Sequence, residues 1–367
     1  MTSHKLFRAI AAIGFATAAS MAYAVPMAIA PSITPLITSG AAPDTPAARI
    51  DANVPTSPFS GVVSINIRYD GQSYICSGAM ISRWHAVSAG HCVDTNGKGA
   101  VVDINKPGND VRVVFNATSE PGSAGRAIIT ANKVDMHHDY AGFGKCPAGV
   151  GGFCVNDDVA IIRLSSPAPD VAKTYNLFRG QVSEGSVFTM VGYGTSGDGL
   201  NGYNVSPAFR VKRSGKNVFD FAQTDDEANF SGASPKEVWY ADFDGTLANG
   251  TKVDSMCDST SSFAGEFGVT ICGESLGNEI EANNGEGDSG GPSFVMINGE
   301  YQLAATNTFG WAQGYSPRGG FGDVMGGILL NSYLDWIDAT AVPEPGSLGL
   351  AALGLAGLIG ARRRRRA

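Results

Sequence analysis

The chain has 367 residues, 43% of them hydrophobic and 16% charged, with 48 glycines, enough for one large domain or two small ones around a substantial core. Its 26 basic and 34 acidic residues give a net charge of −8, and eight of the basic ones stand outside the body, at Lys5, Arg8, Arg49 and Arg362 to Arg366. Residues 50–341 therefore hold 18 basic against 32 acidic residues, a balance near −14, which excludes nucleic acid and anionic surfaces as natural partners.

In chain order, Lys5 and Arg8 precede an apolar run from Ala9 to Ala19 and then Ala22-Tyr23-Ala24. This is the pattern of a secretory signal peptide over residues 1–24, too short to span a bilayer, with cleavage expected after Ala24. Residues 25–49, rich in Pro, Ala, Ser and Thr, read as a flexible pro-segment. From Ile50 the pattern changes. Gly61 to Tyr69, Ala100 to Val102, Val111 to Phe115, Ala160 to Leu164, Val187 to Val191 and Tyr301 to Ala305 are β-branched or alternating and are separated by Gly, Asn and Asp, so they predict short strands. The clearest helical period runs from Ile328 to Ile337. Residues 194–256 are polar and Gly/Asn/Asp-rich and read as surface loops. Many short strands without alternating helices predict an all-β barrel or sandwich. Past Val342-Pro343-Glu344-Pro345, an apolar stretch from Gly346 to Gly360 ends in the five arginines, a pattern for membrane contact through 346–366 with the basic end cytoplasmic.

Six cysteines, Cys76, Cys92, Cys146, Cys154, Cys257 and Cys272, all fall in the exported body. An even number in an oxidising compartment predicts three disulfides, with fifteen pairings open. No C-x-x-C or paired-histidine spacing supports a metal site, and no cofactor is expected.

The run Gly287-Asp288-Ser289-Gly290-Gly291-Pro292 leaves a serine hydroxyl uncrowded and lets backbone N–H groups converge on one point, as a developing oxyanion requires. A nucleophilic serine also needs a base and an orienting carboxylate. Among five histidines, His91 stands apart, because an apolar strand runs into it through Ser88-Ala89-Gly90 and Cys92 closes the turn. Asp158 lies directly before the apolar run Val159 to Leu164, where a carboxylate can be buried against an imidazole. Asp157 is its rival, and capping a turn is the alternative role for either.

These segments resemble the chymotrypsin-like serine proteases. The family's TAAHC corresponds to Ser88 to Cys92, its NDIALL to Asp157 to Ile162, and its GDSGGP stands unchanged at Gly287 to Pro292. The order His, Asp, Ser is that family's order. The resemblance covers roughly residues 50–338 and is weak across 195–256. It implies an all-β, two-barrel fold with a C-terminal helix over residues 50–340, and a secreted or surface-sorted endopeptidase acting on protein or peptide substrates. His91, Asp158 and Ser289 would form the triad and the N–H groups of Gly287 and Ser289 the oxyanion hole. Disulfides Cys76–Cys92, Cys146–Cys154 and Cys257–Cys272 are implied in the same way. Asn283 falls at the base of the pocket for the residue preceding the cut bond, so Arg or Lys is not expected there. Thr308, Phe309 and Gly310 would bind the substrate backbone. Ile50, 26 residues before Cys76, would become the new N-terminus when another protease cuts after Arg49, and its ammonium would pair with Asp288. Residues 341–367 resemble the PEP-CTERM sorting signal, which implies export from a Gram-negative bacterium and processing by an exosortase-type enzyme. Two other functions fit the same residues: a surface or matrix binding protein on an inactive protease scaffold, and an esterase.

Overall fold

The computed structural model describes residues 37–341, together with the backbone of two dipeptide strands, Met21–Ala22 and Met27–Ala28. The signal-peptide cleavage site and the segment beyond residue 341 lie outside the described residues.

The first half is a closed barrel of six strands: β1 (Val62–Tyr69), β2 (Gln72–Met80), β3 (His85–Ser88), β4 (Asp110–Val114), β5 (Ile128–Met136) and β6 (Ala160–Leu164). They pair antiparallel in the order β2-β1-β4-β5-β6-β3, and β3 returns to β2 to close the sheet. The two-residue period decides what each strand faces. Val63, Ile65, Ile67, Val111, Val113, Ala160 and Ile162 fill the barrel. The alternate positions Val62, Ile75, Val87 and Ile161 pack outward in a cluster with Phe294, Leu303 and Ile328 of the second half. Both faces of these strands are therefore apolar, so the halves are held by continuous hydrophobic burial.

In the second half, β7 (Val187–Gly192) lies between β10 (Arg213–Val218) and β15 (Pro292–Ile297), and β16 (Glu300–Thr306) completes that sheet. The hairpin of β8 (Ser196–Asp198) and β9 (Gly202–Val205) stands apart. A further sheet orders β11 (Phe221–Thr224), β12 (Lys236–Asp242), β18 (Val324–Ile328) and β17 (Phe309–Trp311). A bridge from Ala305 to Leu329 ties the sheets together over Phe188, Met190, Trp239 and Met325. Between β12 and Asn283 the chain makes a long excursion, residues 243–282. It holds the ribbon of β13 (Gly245–Thr246) and β14 (Lys252–Val253) and helix α1 (Ser262–Phe267). All three disulfides occur in the pairing that the resemblance implies.

Four expectations are corrected. The stretch 194–256 is not loop alone, for it supplies β8 to β14. Its strand period was hidden because Arg213, Asn217 and Asp242 are buried polar residues. Ala100 to Val102 forms only a one-residue bridge between Val101 and Asp94. The terminal helix begins later than Ile328, since Val324–Ile328 is a fully buried strand paired with β12. A 3-10 turn follows and helix α2 covers Leu334–Ala341. Finally, residues 37–41 and the Arg49 side chain of the expected flexible segment are held on the body. Ile37 to Ala41 are buried, Thr38 pairs with Asn283, and Arg49 is bonded to Asp44.

Candidate active site

The pairing of β3 with β6 sets Ser88 opposite Ala160. His91 follows β3 on a 3-10 turn, Gly90–Cys92, and Asp158 precedes β6, so the register alone brings them together. Asp158 is fully buried and grips His91 twice. One carboxylate oxygen accepts the His91 backbone N–H at 2.6 Å and the other lies 2.7 Å from Nδ1. This grip holds the ring with Nε2 directed away from the carboxylate. Gly90 is explained by the same contact: a Cβ there would lie 3.1 Å from Asp158 Oδ1 and 3.2 Å from Met136.

The neighbouring Asp157 turns the other way. It adopts a left-handed conformation, φ +62°, donates its N–H to the Tyr333 hydroxyl at 2.9 Å, and has Oδ1 3.0 Å from His137 Nδ1. Geometry therefore separates the two aspartates that the sequence left as rivals.

Ser289 sits in the turn before β15 and is 1% exposed. Its carbonyl accepts Ser77 N–H at 2.8 Å, and Ser77 Oγ donates to Gly287 O at 2.9 Å. Ser77 adjoins Cys76, whose disulfide holds Cys92 beside His91. Gly290 is left-handed at φ +75°, and a Cβ on it would stand 2.2 Å from Ser88 Oγ and 2.5 Å from Ala89 N. The serine loop and the histidine strand thus touch where no side chain fits. Asp288 is fully buried, and its carboxylate accepts N–H bonds from Gly194 at 2.7 Å and Gly285 at 2.8 Å. Burial pushes it up to about 7, against the opposing pull of these bonds and of the Arg213 guanidinium.

Asn283 is fully buried and both polar atoms of its carboxamide lack a partner. Nearby, Tyr203 donates to Asn284 O at 2.6 Å, and a Cβ on Gly310 would meet Tyr203 and Asn284 at 3.5 and 3.8 Å. Thr308 is buried with its hydroxyl unpartnered. The edge of β17 accepts extended chain, since Met21–Ala22 pairs antiparallel with Trp311 and Gly310. Met27–Ala28 pairs likewise with Ile75 and Tyr74 on β2.

Several residues here escaped sequence reasoning. Phe143 meets the His91 ring edge-on at 5.1 Å and Phe153 at 5.7 Å. Phe153, Tyr240, Glu266, Phe267, Phe309 and Trp311 line a narrow crevice. The clustering of phenylalanines around the Cys146–Cys154 loop was the available signal.

Ile50, expected as the activating terminus, is 42% exposed, and its N–H donates to Ala47 O at 3.3 Å. Ile37 is fully buried instead, its carbonyl accepts the Ser196 hydroxyl, and Thr38 N–H donates to Asn283 O at 3.1 Å.

Residues 50–217 match the Trypsin family model, and residues 341–365 match the PEP-CTERM protein-sorting motif. The first match includes His91 and Asp158 and ends before Asn283 and Ser289. The phenoloxidase-activating enzyme of Bombyx mori is 30% identical over 131 residues, which are 32% of this chain and 26% of that protein. The chain thus spans about a quarter of that relative's length. The sorting motif implies export and sorting toward the cell surface, and among the described residues no helix is long and apolar enough to cross a membrane.

Proposed function

We propose that this chain, a trypsin-family domain with a PEP-CTERM sorting motif, is a serine endopeptidase, its catalytic body within residues 50–340. The observation that carries the reading is the double grip of buried Asp158 on His91, with the Ser289 loop seated against the same strand through Gly290. In this reading Ser289 Oγ attacks a peptide carbonyl as His91 takes its proton, and Asp158 stabilises the imidazolium. His91 then gives the proton to the leaving amine, and water repeats the sequence on the acyl-enzyme. The N–H groups of Gly287 and Ser289 hold the tetrahedral oxyanion, each worth roughly 3 kcal/mol. No step uses a metal or cofactor.

The unpartnered carboxamide of Asn283 and hydroxyl of Thr308 favour an uncharged side chain before the cut bond, with hydrogen-bonding capacity or apolar bulk. Arg and Lys would bury a cation without a counter-charge. For activation, the buried Ile37 fits better than Ile50, so the cut is assigned to Leu36–Ile37 instead of Arg49–Ile50, with the Ile37 ammonium pairing with Asp288. A cut after Leu36 suits the enzyme's own uncharged pocket, so activation should proceed at a rate proportional to the product of active-enzyme and uncut-chain concentrations. N-terminal sequencing of active enzyme checks this, and a start at Ile50 sinks it.

The enzyme should take up a fluorophosphonate at Ser289 and cleave peptides, while Ser289→Ala loses about 10⁶-fold in rate. Labelling without peptide cleavage would favour an esterase. Failure to label correctly processed protein would favour a binding scaffold. The sorting motif supports release or attachment at the surface of a Gram-negative cell after exosortase-type processing and transient membrane contact through 346–366.

A further inference from the structure

At the root of the excursion, Asp242, Asp244 and Asp254 bring carboxylate oxygens to within 4.8 Å of one another. Asp242 and Asp244 are 4% and 7% exposed. They point to the same side because they are two residues apart in extended chain. Asp254 returns to them from the far arm of the β13–β14 ribbon. Each has acceptor capacity to spare. Asp242 Oδ2 accepts from Ser255 Oγ at 3.1 Å and Met256 N at 2.9 Å, and Asp254 Oδ1 accepts from Cys257 N at 2.9 Å.

Asp244 is the telling residue. Its Oδ1 is buried and has no hydrogen-bond partner, and Asp244 lines, with Asp254, an open cleft of about 410 Å³. Burying an ionised carboxylate without a partner is costly. Here the charges that bear on Asp244 are those of Asp242, Glu281, Asp254 and Asp220, every one acidic. Glu281 offers no relief, because its own oxygens are taken by Asp244 N–H, Leu276 N–H and Ser275 Oγ at 2.7 to 3.0 Å. Lys252 also lines the cleft but is exposed. A proton or a cation must neutralise the cluster; a proton shared between Asp242 and Asp254 serves two oxygens, whereas a multivalent cation would gather all three residues, Asp244 included.

We propose that Asp242, Asp244 and Asp254 form a calcium site. An all-oxygen set with three carboxylates, one from the end of β12 and two from the loops beyond it, and open to water for the remaining positions, suits Ca²⁺ better than the rigid octahedron Mg²⁺ demands. The ion would join the start of the excursion to its ribbon, and Glu281 links its end through the Asp244 N–H. The excursion also carries Glu266 and Phe267 into the crevice beside β17, so calcium would stiffen one wall of that crevice.

The test uses the full chain with Ser289→Ala, which cannot cut itself, so the outcome does not depend on the proteolytic reading. Thermal unfolding is followed in CaCl₂ and in EDTA, with calorimetric titration of CaCl₂. One equivalent should bind with Kd of about 10⁻⁴ M or tighter, and Tm should rise by about 5 °C at saturation. Asp244→Asn should weaken binding by about 100-fold and Asp254→Asn by about 10-fold, each carboxylate supplying a direct ligand. If Asp244→Asn does not fold, the partly exposed Asp254→Asn decides. The same Tm in CaCl₂ and EDTA, or full calcium affinity in folded variants, overturns the proposal.

Discussion

Gly290 is the point where the serine loop and the histidine strand meet, and its missing Cβ is a steric requirement. Gly290→Ala should cost about 3 kcal/mol or more, from the left-handed backbone and the overlap with Ser88 and Ala89 together. A Tm equal to that of the parent protein would refute the contact. Two further residues invite comparison. Asp158→Asn should lower kcat about 10⁴-fold by disturbing the histidine tautomer, whereas Asp157→Asn, facing His137, should leave kcat within about tenfold. Equal losses would mean that the division of roles is wrong. At Asn283, a carboxylate would give a cationic side chain the partner it now lacks. Asn283→Asp should therefore raise kcat/KM for Arg or Lys before the cut bond by about 30-fold relative to uncharged residues, in line with a charge-assisted hydrogen bond. A peptide library with that position varied reads this directly.

Among the elements, some strands were legible because their alternation is local: β6 stands where Ala160 to Leu164 was expected, and β1 and β7 differ by a residue, whereas β2 and β5 of the same barrel were not read. The strands between Gly194 and Met256 were not, although β16 further on matches the expected Tyr301 to Ala305. Arg213, Asn217 and Asp242 are buried through hydrogen bonds and electrostatic contacts with distant segments, so polarity there did not mean exposure. In the proposed reading the excursion 243–282 bears on selectivity, since α1 brings Glu266 and Phe267 to the crevice beside β17. Its disulfide spans 15 residues, a constraint worth roughly 3 kcal/mol. Replacing both Cys257 and Cys272 by Ser should raise KM for an eight-residue peptide about tenfold with little change in kcat, the pattern of lost uniform binding. A short ester substrate should be unaffected. An equal effect on both substrates would place the excursion's role elsewhere.

For the whole molecule, buried carboxylates couple stability to pH. Asp288 titrates near 7 in the folded precursor and Glu237, raised chiefly by burial, also near 7. Both groups would titrate near 4 in the unfolded chain. Folding then favours the protonated form, so their contribution is complete below about pH 4 and is lost as pH rises through 7. The Tm of the Ser289→Ala precursor should fall over that window relative to Asp288→Asn, in which the Asp288 contribution is gone, and identical profiles would exclude it. The sequence by itself pointed to His91, Asp158 and Ser289 and to strands β1, β4 and β6 of the first barrel, because glycine turns, a strand-end aspartate and two-residue alternation are properties of neighbouring residues. Only the tertiary structure turned Asp157 away toward His137, buried Ile37 while leaving Ile50 exposed, and gathered Asp242, Asp244 and Asp254 at one point. Those outcomes depend on which distant segments share a low-dielectric interior, as when Thr38 pairs with Asn283, and local pattern carries no record of that.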